Sequence, residues 1–126
     1  MPPTADDSES AANDPSRYLP ALLDAYAALF PGTPLCLTEI GYLSGEGLDP
    51  LPAGYEWAAN TSVAEQAEWI AQASIFARQS GRVALMIVWN VDSPIYTADD
   101  PQAGYAIVRD GQCLACIALN AANRIE

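Results

Sequence analysis

Residues 83–89 read VALMIVW, an unbroken apolar run rich in β-branched side chains. Such a run reads as a parallel β-strand covered on both faces. A second run, LCLTEI at 35–40, has the same character apart from a glutamate near its end. Between the two, Ser62-Val63-Ala64-Glu65 has the capping-box pattern, and Val63, Ala67, Ile70, Ala73 and Ala77 recur on one helical face. That helix is expected to run to about Ser80, with Gly81 as its stop. Strand, helix and strand in this order make a right-handed parallel βαβ unit. Two strands covered on both faces would leave both outer edges open, so such a sheet calls for further strands. A 126-residue chain is one domain at most, large enough to bury roughly two-thirds of its unfolded surface.

The flanking segments complete an αβ-loop-αβ-loop-α order. Residues 1–15 hold four acids and three prolines and read as a disordered acidic tail or linker. Ser16 is placed to cap a helix running to about Phe30. Its stripe is Leu19, Leu22, Leu23, Tyr26, Leu29 and Phe30, with Pro20 in the first turn and Pro31-Gly32 at the end. The stretch 41–61 has four glycines, two prolines, and Tyr42, Tyr55 and Trp57. A loop that long is either functional or disordered, and its aromatic content favours function. After Trp89 come a polar loop from Asn90 to Pro101, the segment GYAIV, an Asp110-Gly111 turn and a helix-like stretch from about Leu114 to Asn123.

Composition removes several chemistries. Sixteen acids against five arginines and no lysine give a net charge of −11, which argues against nucleic acid and anionic membrane surfaces as partners. There is no histidine, so the usual neutral-pH general base, the His-dependent triads and most zinc sites are gone. No cofactor is expected. No apolar run reaches the roughly 20 residues that span a bilayer. The opening MPPTADDSESAANDPS has neither the basic nor the hydrophobic region of a secretory signal, although a longer precursor could carry one. Three cysteines make no disulfide framework. Cys36 reads as a small hydrophobe within its strand, and Cys113 and Cys116 as a CxxC, too few ligands for a closed zinc site but a candidate redox pair if it opens a helix.

Alternation along β-strands puts Leu35, Leu37 and Glu39 on one side of the first, and Val83, Leu85, Ile87 and Trp89 on one side of the second. Glu39 and Trp89 both fall at C-terminal ends. Neighbouring strands lie about 4.8 Å apart, so the two side chains are placed to line one pocket, at the end where α/β enzymes hold their active sites. A carboxylate beside an indole suits sugar chemistry: carboxylates stabilise or trap an oxocarbenium-like centre, and aromatic faces pack on sugar rings. The plainer alternatives stand beside this. A strand-terminal glutamate is often solvated or caps nearby amides, Trp89 alone would be core, and Asn90 and Asp92 would make local turn hydrogen bonds. Glu65 and Glu68 offset a helix dipole, and Glu46, Glu56, Asp99 and Asp100 belong to solvated loops.

The run from Pro34 to Asn123 resembles the C-terminal quarter of the (β/α)8-barrel retaining glycoside hydrolases, the clan of cellulase-like enzymes and β-xylosidases. The residues that carry the likeness are Thr38-Glu39-Ile40-Gly41 with Tyr42, then Trp89-Asn90, then Gly104-Tyr105-Ala106-Ile107-Val108 followed by Asp110-Gly111 and Ala115 to Leu119. The resemblance implies an α/β fold in which residues 16–126 form about the seventh and eighth βα units of an incomplete TIM-type barrel. It implies a retaining double displacement on a carbohydrate, with Glu39 as nucleophile and Trp89 as the floor of the cleavage subsite. Tyr42, Trp57, Asn90 and Asp92 are the further candidate substrate contacts. The family's acid/base glutamate, which follows an Asn at the fourth strand, has no counterpart before Glu39, and Asp92 is the only local candidate. The chain by itself is therefore expected to be inactive, with the N-terminal part of the barrel, or another copy through open sheet edges, as partner. Two alternatives remain: a small α/β binding or interaction module in which Glu39 is a polar anchor, and a thiol-redox domain using Cys113 and Cys116.

Overall fold

The computed structural model describes residues 18–124 and is mixed α/β. In chain order it has helix α1 (Leu19–Leu29), strand β1 (Leu35–Ile40), a 3-10 turn (Glu56–Ala58), helix α2 (Val63–Gln79), strand β2 (Val83–Val88), the short helix α3 (Gln102–Tyr105) and helix α4 (Leu114–Ala122). The acidic tail expected over 1–15 and the cap expected at Ser16 lie outside the described residues. At the start of α1 the N-cap is Tyr18, which makes no side-chain capping bond, and a proline occupies the first turn. The α2 cap forms as its pattern predicts. The Ser62 hydroxyl accepts from the Glu65 N–H at 3.1 Å, and the Glu65 carboxylate accepts from the Ser62 N–H at 2.8 Å. The Ser62 N–H, and with it the Ser62 hydroxyl, which also donates to the carboxylate at 2.8 Å, hold the Glu65 carboxyl below its ordinary pKa. At the other end Gly81 takes φ +63, the left-handed conformation that a helix stop favours.

β1 and β2 pair in parallel and, among the described residues, form a two-stranded sheet. The register sets Leu35 against Val83, Cys36 against Leu85, Leu37 against Met86 and Ile40 against Val88, with irregularities after Leu35 and between Leu37 and Ile40. Its consequence is a sheet buried on one face rather than two. Leu35, Leu37, Ile40, Val83 and Met86 pack on Leu19 and Leu23 of α1 and Ala73 of α2. The opposite face keeps Leu85 47% and Ile87 46% exposed, and Cys36 lies exposed with them instead of buried. Val83 also leaves the side of Leu85 and Ile87, because the register shift after Leu35 turns it inward. The α1 stripe is buried only over its first half. Tyr26, Leu29 and Phe30 are exposed, the Tyr26 and Phe30 rings stacking on each other at 6.4 Å.

α2 carries the second core cluster on the same side. Ala67 and Ile70 pack with Ile107 and Ala115, and Tyr42 touches both clusters. The stretch 41–61 is not a disordered excursion. Leu43 and Ser44 are fully buried, the Ser44 hydroxyl donates to the Thr61 carbonyl at 2.9 Å, and the Ser44 N–H donates to the Gly104 carbonyl at 3.0 Å. Two side chains not singled out by sequence pattern tie it down. The buried Gln66 amide donates from Nε2 to the Tyr42 carbonyl at 2.7 Å and the Gly104 carbonyl at 3.0 Å. Arg109 donates to the Ser44 and Gly104 carbonyls at 3.1 Å each, and to the Glu46 carbonyl at 3.2 Å. Partial burial lowers the Arg109 pKa from its ordinary value, opposed by Glu46 and Asp110, and the guanidinium stays charged.

Gly41 is required by close approach. A Cβ there would run into the backbone carbonyl oxygen of Trp89, where the ends of the two strands meet. Gly41→Ala is therefore expected to cost about 2 kcal/mol or more, read as a fall in the midpoint of a urea melt. Gln66→Ala takes this donor from the Tyr42 carbonyl and one of three from the Gly104 carbonyl, and leaves a void. It is expected to cost about 2–4 kcal/mol in the same measurement, and a loss under about 1 kcal/mol would show that the joint is not structural.

Candidate functional site

The close approach at Gly41 brings the C-terminal ends of the strands together, with the Trp89 N–H donating to the Ile40 carbonyl at 2.8 Å. Past β2 the Trp89–Asn90 peptide is cis, and the chain runs beside residues 104–107. The Asn90 N–H donates to the Tyr105 carbonyl at 3.3 Å, and the Ile107 N–H donates to the Asn90 carbonyl at 2.9 Å. Tyr105 is thereby carried to the end of β1. It meets Tyr55 of the long loop edge to face, with ring centres 6.4 Å apart.

A cavity of about 530 Å³ opens at this place. Leu19 and Leu22 of α1 and Leu37 of β1 supply an aliphatic wall, and Tyr42, Tyr55, Trp57 and Tyr105 supply the aromatic ones. Glu39 is the one acidic residue among those that line it, and no arginine lines it. The site thus combines apolar faces, phenol hydroxyls and a single carboxylate. That chemistry favours a neutral, partly apolar ligand over an anion. Tyr42 is the most constrained of these groups. Its ring packs on Trp69 at 5.9 Å, and burial pushes its phenol up to about 12.

Three of the candidate site residues come together here: Glu39, Tyr42 and Trp57. Trp89, Asn90 and Asp92 do not line this cavity. The expectation that Glu39 and Trp89 line one pocket is thus not met by this cavity, although the two residues flank the paired Ile40 and Val88. Alternation does not carry through to Glu39, because the irregularity between Leu37 and Ile40 sets both of those side chains inward and leaves Glu39 exposed, whereas Trp89 continues the exposed side of Leu85 and Ile87. The Trp89 indole N–H donates to Gln102 Oε1 at 2.9 Å. Asn90 is half-buried, and its amide donates to the Gln102 carbonyl at 3.4 Å, twelve residues on. Asp92 is exposed.

Tyr55 and Tyr105 are site residues that sequence reasoning left unassigned. Tyr55 had a signal, as an aromatic residue in a Gly- and Pro-rich stretch. Tyr105 had none, because it reaches the cavity through α3 and the Gln66 and Asn90 contacts. Among the described residues no group of three or more His, Cys, Asp or Glu side chains is placed to hold a metal ion. Likewise, no described helix is long and apolar enough to cross a membrane. Comparison of the chain with protein-family models, curated proteins and solved structures finds no match in any of the three.

The Tyr42 environment has a pH signature. The unfolded phenol ionises near 10 and the folded one near 12, so stability is complete below about pH 10 and falls as pH rises through about 12. The loss is about 2–3 kcal/mol across that window. Urea melts over this range are expected to show it, and Tyr42→Phe to remove that part of the slope. Equal slopes in the two proteins would refute the assignment.

Proposed function

We propose that the chain is the C-terminal part of a retaining glycoside hydrolase of the (β/α)8-barrel type, with β1 and β2 standing as about its seventh and eighth strands and Glu39 as the nucleophile. The observation that carries this reading is a lone carboxylate at the C-terminal end of a parallel strand, opening into a cavity walled by Tyr42, Tyr55, Trp57 and Tyr105. The TEIG and Trp-Asn sequences at the two strand ends support it, and so does the exposed apolar face of Leu85 and Ile87, which suits a sheet continued by further strands.

In this reading a sugar ring packs its apolar face on the aromatic walls, which orient the anomeric carbon toward Glu39. The Glu39 carboxylate attacks that carbon, the glycosidic bond breaks, and a glycosyl ester forms; water then cleaves the ester. A second carboxyl, about 5–5.5 Å from the nucleophile, is needed to protonate the leaving oxygen and then to activate the water. None of the described residues that line the cavity supplies it, and Asp92 lies outside the cavity. In this reading the acid/base comes from a part of the barrel outside the described residues, and the chain alone is expected to stall on an ordinary glycoside.

That logic selects the test. A dinitrophenyl glycoside needs no proton on its leaving group, and fluorination beside the anomeric carbon slows cleavage of the ester. With dinitrophenyl glycosides of fluorinated glucose and fluorinated xylose, the chain is expected to release one equivalent of dinitrophenolate and to gain one glycosyl mass on the peptide containing Glu39. Glu39→Gln is expected to gain none. The single carboxylate in the cavity also fits the second reading, a carbohydrate-binding module without catalysis. In that case no label appears, and neutral oligosaccharides quench tryptophan fluorescence equally in the native chain and in Glu39→Gln. Absence of both label and binding would sink both readings.

A further inference from the structure

Neither the cavity nor the strand ends use Cys113 and Cys116, which are joined in a disulfide three residues apart. The stabilisation a disulfide brings grows with the loop it closes, and this loop encloses only Leu114 and Ala115. The bridge also fastens no two elements together, because both cysteines sit at the start of α4. What it presents is two unlike sulfurs. Cys116 is exposed, whereas Cys113 is half-buried against the cluster of Ala67, Ile70, Ile107 and Ala115. Cys113 is the N-cap of the nine-residue α4, and its Sγ accepts the Cys116 N–H at 3.1 Å. When the bridge opens, that amide and the positive end of the helix favour a thiolate on Cys113. A stabilised thiolate is also the better leaving group in exchange.

We propose that Cys113–Cys116 is a thiol–disulfide exchange site whose reaction partner is a dithiol, with Cys116 as the sulfur attacked and Cys113 as the leaving thiolate. One thiolate of the dithiol attacks Cys116 Sγ, the Cys113–Cys116 bond breaks, and the electron pair leaves on Cys113. The second thiolate of the dithiol then attacks its own sulfur in the mixed disulfide, releasing Cys116. The dithiol ends as a disulfide, and its two protons and two electrons end on Cys113 and Cys116. The oxidised and reduced pair both fit the same cap, since the Cys116 N–H finds an acceptor in Cys113 either way. This site stands apart from the Glu39 cavity and does not rest on the glycosidase reading.

The test uses the full chain with Cys36→Ser, which removes the third thiol, an exposed one, from the exchange. The oxidised protein is treated with glutathione and quenched in acid, and the mixed disulfide is located by mass spectrometry. In parallel, reduction by dithiothreitol is timed under native conditions against an oxidised peptide of residues 110–119. The expected results are glutathione on Cys116, reduction at least about tenfold faster than in the peptide, and recovery of the disulfide with oxidised dithiothreitol while the helical circular dichroism persists. Glutathione on Cys113 would overturn the proposal. So would a bridge that opens no faster than in the peptide, or only once the protein unfolds.

Discussion

The amide of Gln66 is the joint on which the described structure turns. It is fully buried on α2, and its nitrogen holds the carbonyls of Tyr42 and Gly104, which belong to segments more than sixty residues apart in sequence. Without it the Tyr42 carbonyl would lose this donor, at about 1–3 kcal/mol, while the Gly104 carbonyl would keep the Ser44 N–H and Arg109. Gln66 Oε1 has no hydrogen-bond partner of its own, so the residue carries a penalty that its nitrogen offsets. Arg109 repeats the device at the edge of the same region, gathering the Ser44, Glu46 and Gly104 carbonyls under one guanidinium. The cavity depends on these two side chains because its aromatic walls grow from the backbone they fasten. Tyr42 carries one of the Gln66-bound carbonyls, and Tyr105 follows directly on the residue that carries the other.

The second constraint is the one-sided sheet. A parallel pair usually has helices or further strands on each face. Here both core clusters lie on the side of α1 and α2, and the side of Cys36, Leu85, Ile87 and Trp89 faces outward. Glu39 and Trp89 both flank the inward-packed pair of Ile40 and Val88, yet only Glu39 lines the cavity. The carboxylate belongs to a cavity walled by loop aromatics, and the indole is anchored to Gln102.

Local signals fared well wherever the physics is local. The Ser62–Glu65 box, the Ala67, Ile70, Ala73 and Ala77 face, the Gly81 stop and the two apolar strands are read from neighbouring residues, and each forms as such patterns do in isolation. The short α3 and the 3-10 turn fall in segments with no periodic apolar pattern, and tertiary hydrogen bonds hold them. Pattern reading also overestimated burial at Cys36 and in the Tyr26 to Phe30 half of the α1 stripe, because apolar periodicity states which face seeks cover and not whether cover is present.

By itself, then, the sequence determined the three longer helices, the two parallel strands, the place of Glu39 at a strand end and the lack of a histidine side chain. All of these depend on residue type and short-range spacing. Only the tertiary structure decided the inward turn of Val83, the use of Gln66 and Arg109 as clamps, the arrival of Tyr105 at the cavity and the closure of Cys113 on Cys116. The first of these turns on a shift of one residue between strands 48 positions apart at Leu35 and Val83, which carries no mark in either strand alone. The clamps act through backbone carbonyls, which every residue possesses and no side-chain pattern reveals.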